Sequence, residues 1–109
     1  MLELTEANFS GNRYNGDGKL LALFYAKWCP FCRKFLPEFE RIEQDAKISL
    51  AKVDLSDTSS PLWDTFGVEV IPTAIFFENG EIKKRLDGTL GIGIRPDKFN
   101  SFAREIGAV

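Results

Sequence analysis

Two cysteines, Cys29 and Cys32, stand with two residues between them in the run LLALFYAKWCPFCRKF, Leu20 to Phe35, directly after Trp28, and the chain has no others. Thiols at this spacing can close a disulfide, supply half of a metal site or work as a redox pair. Cysteines at helix starts or in Cys-X-X-Cys pairs have pKa values lowered to about 3.5–7.5 from about 8.5, because the backbone donors and macrodipole of a helix start favour an anion. Cys29 falls where an apolar run ends and a helical pattern begins, so it is the expected thiolate and nucleophile. Cys32, a turn further in on the same face, is expected to be less exposed yet within bonding distance, and so able to attack any mixed disulfide formed by Cys29. Pro30 suits the first helical turn, where its missing donor costs nothing, and it stiffens the link between the thiols.

Other chemistries use the same spacing. A structural zinc site needs four ligands, and this chain has no histidine and no third cysteine, so no metal site is expected within one chain. Two inert buried thiols, a purely structural disulfide, or a metal or iron–sulfur cluster shared by two copies are the remaining alternatives. The helix-start position of Cys29 favours redox chemistry over all of them.

Several elements must position this pair. Leu20 to Ala26, LLALFYA, is an almost unbroken apolar run of strand length, as expected for a strand covered on both faces in the middle of a parallel sheet. From Pro30 to about Asp45, Phe31, Phe35, Phe39 and Ile42 recur at helical spacing, and Pro37 inside that helix predicts a kink. Ile48 to Leu55 reads as the next strand, which makes a right-handed βαβ unit with parallel strands. Ser60-Pro61 opens a short helix ending at Gly67. TAIFFENGEIKKRLDG gives two antiparallel strands about Asn79-Gly80. Asp97 to about Ile106 closes the chain as a helix that buries Phe99, Phe102, Ala103 and Ile106. Before all of these, Thr5 caps a short helical turn in LTEANFSG, and NRYNGDGK reads as a loop. No linker, repeat or low-complexity tract interrupts residues 1–109, so one α/β domain is expected, a mixed sheet with helices on both sides.

With 109 residues, 44% hydrophobic and 28% charged, the chain can bury one ordinary core. A net charge of −2 without long runs of one sign gives no footprint for nucleic acid or an anionic membrane. The acidic start, Met1-Leu2-Glu3-Leu4-Thr5-Glu6, is unlike a signal peptide, and no apolar run approaches the roughly 20 residues of a membrane span. A cytoplasmic monomer is therefore expected.

FYAKWCPFCRKFLPEF resembles the active-site segment of the thioredoxin family, and VEVIPTAIFFENGE continues the match with Ile71-Pro72-Thr73 in place of that family's cis-proline loop. The resemblance extends over essentially the whole chain. It implies a thioredoxin fold with four or five strands, a Cys29 that attacks and a Cys32 that resolves. It also implies a cis Pro72 facing the thiols, which proline tolerates far better than other residues, and an Ile71 backbone that pairs with an extended substrate segment. Trp28, Pro30, Phe31, Ile71 and Pro72 would then surround Cys29 as a shallow apolar substrate groove, with Phe31 exposed between the thiols. Gly88 resembles the glycine at which a side chain would obstruct the substrate; its plainer reading is a strand-end turn. Trp63 is expected to pack the short helix on the sheet.

Four departures stand out. Leu23 occupies the place of the family's buried aspartate, the proton acceptor for the resolving thiol. Lys52, which resembles that aspartate's partner, is then expected to be an exposed strand lysine, since an unpaired buried ammonium is costly. Pro30-Phe31 is closer to the Cys-Pro-aromatic-Cys of glutaredoxins. TLGIGIRPD is longer and richer in glycine than the corresponding family segment, as a mobile or ligand-binding loop would be. The function implied is exchange of a Cys29–Cys32 dithiol with protein disulfides, most naturally as a reductase without a cofactor, fed by a reductase or by glutathione. A glutathione-dependent glutaredoxin-like enzyme and a non-catalytic binding module are the rival readings.

Overall fold

The computed structural model describes all of residues 1–109. Its elements are β1 (Leu2–Leu4), β2 (Phe9–Ser10), β3 (Arg13–Tyr14), β4 (Lys19–Tyr25), α1 (Pro30–Arg41), β5 (Ser49–Asp54), α2 (Leu62–Thr65), β6 (Thr73–Glu78), β7 (Glu81–Leu86) and α3 (Pro96–Glu105). Five strands form one sheet in the order β1-β5-β4-β6-β7. β1 and β4 both run parallel to β5, while β6 is antiparallel to β4 and to β7.

β4 is the centre of this sheet because its side chains are apolar on both faces. Leu20, Ala22 and Phe24 point into a core with Val53, Ile75, Phe77, Leu62 and Phe66, on the side of α2. Leu21 and Leu23 point the other way, into a core with Phe35, Phe39, Phe99, Phe102 and Ile106 from α1 and the α3 region. Burying a leucine fully stabilises the fold by about 1.5–3 kcal/mol, so the strand is fixed from both sides and its C-terminal end is a firm mount. The thiols follow that end directly.

The expected capped turn is present: Glu6–Asn8 is one 3-10 turn, with the Thr5 hydroxyl accepting from the Ala7 N–H at 3.3 Å and Asn8 Oδ1 accepting from the Thr5 N–H at 2.8 Å. The loop that follows it is better ordered than its Asn and Gly content implies. Tyr14 donates its N–H to Gly80 O at 3.0 Å and Asn79 donates to Gly18 O at 2.9 Å, so the segment is stitched to the turn of the β6–β7 hairpin. Asn79 and Gly80 both take positive φ, 50° and 87°, as that two-residue turn requires. β1 was not evident in the sequence. Three residues give too little alternation to read, and it is held at the sheet edge by pairing with β5.

No helix of the chain is long and apolar enough to cross a membrane.

Candidate active site

Cys29 is the N-cap of α1, with Pro30 at the first helical position. Its sulfur accepts a hydrogen bond from the Cys32 backbone N–H at 3.2 Å, the role an Asp or Ser oxygen plays at most helix starts. Its thiol also points at the Ile71 carbonyl, at 3.8 Å. Both cysteines are free thiols. Cys29 retains 4% of its surface and Cys32 none, the order of exposure expected from their places on the helix. Burial pushes the Cys32 thiol from its ordinary 9.0 up to about 12, helped by its hydrogen bond with the Cys29 side chain.

The loop opposite α1 is set by Thr73. Its hydroxyl, fully buried, donates to Val70 O at 2.7 Å and accepts from the Gly88 N–H at 3.4 Å, joining the segment before β6 to the segment after β7. The sequence offered Thr73 only as part of a motif; a buried hydroxyl must find partners, and these are the two chains that frame the thiols. The Ile71–Pro72 bond is cis. Gly88 lies so close to this loop that a Cβ there would meet the Pro72 carbonyl oxygen at 2.4 Å. Its φ is unexceptional, so the position needs glycine for space and not for a turn.

Around Cys29 the expected groove residues divide. Trp28 and Phe31 are exposed, at 52% and 39%, and flank the thiol. Phe31 thus leaves the buried stripe that Phe35, Phe39 and Ile42 continue. Pro30 is exposed beside them. Ile71 is buried and Pro72 is fully buried, so the exposed apolar surface beside Cys29 comes from Trp28, Pro30 and Phe31. The Ile71 N–H has no hydrogen-bond partner within the protein. Trp63 does more than pack α2. It stacks on Trp28, with ring centroids 6.5 Å apart and planes 14° from parallel, and each indole N–H is tied down, Trp28 to Ser56 O at 2.9 Å and Trp63 to Asp57 O at 3.3 Å. Sequence reasoning missed this pairing because 34 residues of chain separate two rings that the β5–α2 loop brings together.

Leu23 is fully buried, and its register partner on β5 is Lys52. Lys52 is neither orphaned nor freely exposed: its amine reaches Glu40 of α1 at 3.5 Å. The lysine keeps a carboxylate partner, but that partner is at the surface. Lys27 likewise turns to Asp54, at 3.6 Å.

A dithiol at a helix start, beside a cis-proline loop and on a five-stranded mixed sheet, defines a thiol–disulfide oxidoreductase domain. Residues 1–96 match the family model described as Thioredoxin. The chain belongs to the thioredoxin family. It is 33% identical over 92 residues to a thioredoxin of Mycobacterium bovis, covering 83% of this chain and 78% of that one. It is also 35% identical over 92 residues to a bifunctional thioredoxin reductase/thioredoxin of Mycobacterium leprae and 34% over 93 residues to protein disulfide-isomerase 1 of Caenorhabditis elegans, covering 83% and 81% of this chain. The chain spans only about a fifth of those two proteins, 20% and 19% of their lengths. The crystal structure of Chlamydomonas reinhardtii thioredoxin f2 shares the fold, with a TM-score of 0.78, 20% identity and coverage of 97% of this chain and 95% of that one.

Proposed function

We propose that this protein reduces disulfides of other proteins, with Cys29 as nucleophile and Cys32 as resolving thiol. The observation that carries the reading is the Cys29 sulfur at the N-cap of α1, taking the Cys32 N–H and flanked by exposed Trp28 and Phe31. The Cys29 thiolate attacks one sulfur of the substrate disulfide; a new S–S bond forms to Cys29, the substrate S–S bond breaks, and one substrate sulfur leaves as a thiolate. Cys32 then loses its proton and attacks Cys29 Sγ, releasing the second substrate sulfur and leaving a Cys29–Cys32 disulfide. Its raised pKa makes that proton loss the demanding event, and Leu23 supplies no carboxylate to take the proton. The thiolate just released from the substrate is the base at hand, directly or through water.

The unpaired Ile71 N–H supports an extended substrate strand lying along this loop, with Trp28, Pro30, Phe31 and the Gly88 backbone at its sides. The site is complete within one chain, and a reducing compartment such as the cytoplasm suits the direction. The cycle closes when a donor returns two electrons to the disulfide. A thioredoxin reductase fits the relatives, one of which bears both names; glutathione fits the Pro30-Phe31 dipeptide. Insulin reduction driven by dithiothreitol tests the activity, and replacing dithiothreitol with a flavin reductase and NADPH, or with glutathione, tests the donor. Turnover no faster than dithiothreitol alone refutes the enzymatic reading in favour of a binding module.

A further inference from the structure

Resting on that reading, we propose that the turn Leu90-Gly91-Ile92 is a second docking element for the substrate, which takes a large apolar side chain of the substrate into the cleft between Ile92 and Phe31 and an acidic neighbour onto Lys34 and Arg95. The turn is tight and specific. Thr89 and Gly93 exchange both backbone hydrogen bonds, each at 2.8 Å, Ile92 donates to Thr89 O at 3.0 Å, and Gly91 and Gly93 take positive φ of 77° and 81°. Such a closed turn has no need of apolar residues at its tip, yet Leu90 is 84% exposed and Ile92 46%. Large apolar groups held in water by an ordered backbone mark a surface made to be covered.

Its place says by what. Gly93 abuts Phe31: a Cβ on Gly93 would lie 3.0 Å from Phe31 Cβ, so the turn is seated on one of the two residues between the thiols. Phe31, Ile92, Ile94, Lys34, Glu38 and Arg95 line a cleft of about 340 Å³ that is continuous with the exposed ring of Phe31. Phe31, which this edge adjoins, lies two residues from Cys29 along the chain. The charge of the cleft is one-sided, because Glu38 is engaged by Arg41 while Lys34 and Arg95 have no carboxylate partner. Their unpaired cations on a chain of net charge −2 call for an acidic residue on the incoming segment.

The test uses the full chain and two disulfide-linked peptides that differ only beside the reacting cysteine, one with Leu-Asp and one with Ser-Lys. The expected ratio of kcat/KM between them is about tenfold or more in favour of Leu-Asp, the size of effect one filled apolar pocket gives. Leu90→Ser/Ile92→Ser should remove the part of that ratio that does not depend on salt, and Lys34→Gln/Arg95→Gln should remove the part of it that is screened by salt. A ratio near 1 in the unmodified protein, or one that survives both pairs of substitutions, overturns the proposal. Reduction of hydroxyethyl disulfide by the unmodified protein is measured alongside. If that reaction is absent, the oxidoreductase reading itself fails; if it is present with a peptide ratio near 1, only the docking fails.

Discussion

Replacing Gly88 with alanine separates two meanings of a glycine at a strand end. If Gly88 were only part of a turn, its ordinary φ would let alanine fit and stabilise the fold by about 0.4–1 kcal/mol, through a less flexible unfolded chain. The structure predicts the opposite sign. The new Cβ would lie 2.4 Å from the Pro72 carbonyl oxygen and 3.3 Å from Val70 Cγ1. Against an ordinary carbon–oxygen approach of about 3.3 Å, the first contact is short by roughly 0.9 Å. The opposing atom is backbone, in a loop already bound on its far side by the Thr73 hydroxyl, so no side chain can swing away. Overpacking of this kind costs about 1–3 kcal/mol, which for a domain of this size lowers Tm by roughly 5–15 °C. The displaced loop carries the Ile71 carbonyl that faces Cys29, and a shift approaching 1 Å next to reacting atoms can cost up to about a hundredfold in rate. Thermal unfolding followed by circular dichroism, with kcat/KM for insulin measured well below both midpoints, gives the two readouts. An equal or higher Tm with unchanged kcat/KM refutes the reasoning and returns Gly88 to a turn.

Other expectations follow from the same geometry. Cys32→Ser should accumulate mixed disulfides with protein substrates, detectable on non-reducing gels, whereas Cys29→Ser should trap none; faster alkylation of Cys32 than of Cys29 at neutral pH would reverse the roles. The folded chain holds the Cys32 proton up to about pH 12 while the unfolded chain releases it near the ordinary 9.0, so above pH 9 the unfolded state binds fewer protons. Urea stability of the reduced protein should therefore be constant from this source below pH 9 and decline between pH 9 and 12, and Cys32→Ala should remove that part of the decline. Trp63→Ala should cost about 0.5–1.5 kcal/mol beyond its lost packing, by ending the stack on Trp28, and should raise KM for protein substrates more than for a small disulfide. Lys52→Met should change stability by less than about 1 kcal/mol, since its partner Glu40 is half exposed; a larger loss in urea unfolding would mean that Lys52 is buried with a charge it needs.

The parts of the fold legible in the sequence were those that follow from periodicity. Leu20 to Ala26 read as a strand covered on both faces, Phe31, Phe35, Phe39 and Ile42 as one side of a helix from which only Phe31 departs, and Asn79-Gly80 as a tight hairpin turn. The two cysteines needed no more than their spacing and the helix start beside them. What stayed hidden depended on contacts between distant segments. Pro72 and Trp28 are both apolar and both belong to the motifs around the thiols, but one is fully buried and the other exposed, and nothing local distinguishes them. Lys52 was read against an absent partner on β4, while its actual partner, Glu40, comes from α1. The glycines of residues 88–93 looked like a source of mobility, yet two of them close a tight turn and a third makes room for a carbonyl oxygen.

Cys29 caps the helix that presents it, and this ties two measurable properties together. The sulfur that accepts the Cys32 N–H is the atom whose charge and bonding change in every cycle. A thiolate accepts that hydrogen bond more strongly than a disulfide sulfur does, because the bond is charge-assisted. Hydrogen bonding therefore holds the first turn of α1 most strongly when Cys29 is a thiolate, whereas in the oxidised protein the Cys29–Cys32 bond spans the same turn. Folding and oxidation therefore form a closed thermodynamic cycle: whatever differs in conformational stability between the two redox forms must reappear as a difference in reduction potential between the folded and unfolded chains, at about 30 mV for each 1.4 kcal/mol. Substitutions along the first turn of α1 that never touch a substrate would still tune how strongly this protein reduces one, and two denaturation curves would report the change as faithfully as an electrode.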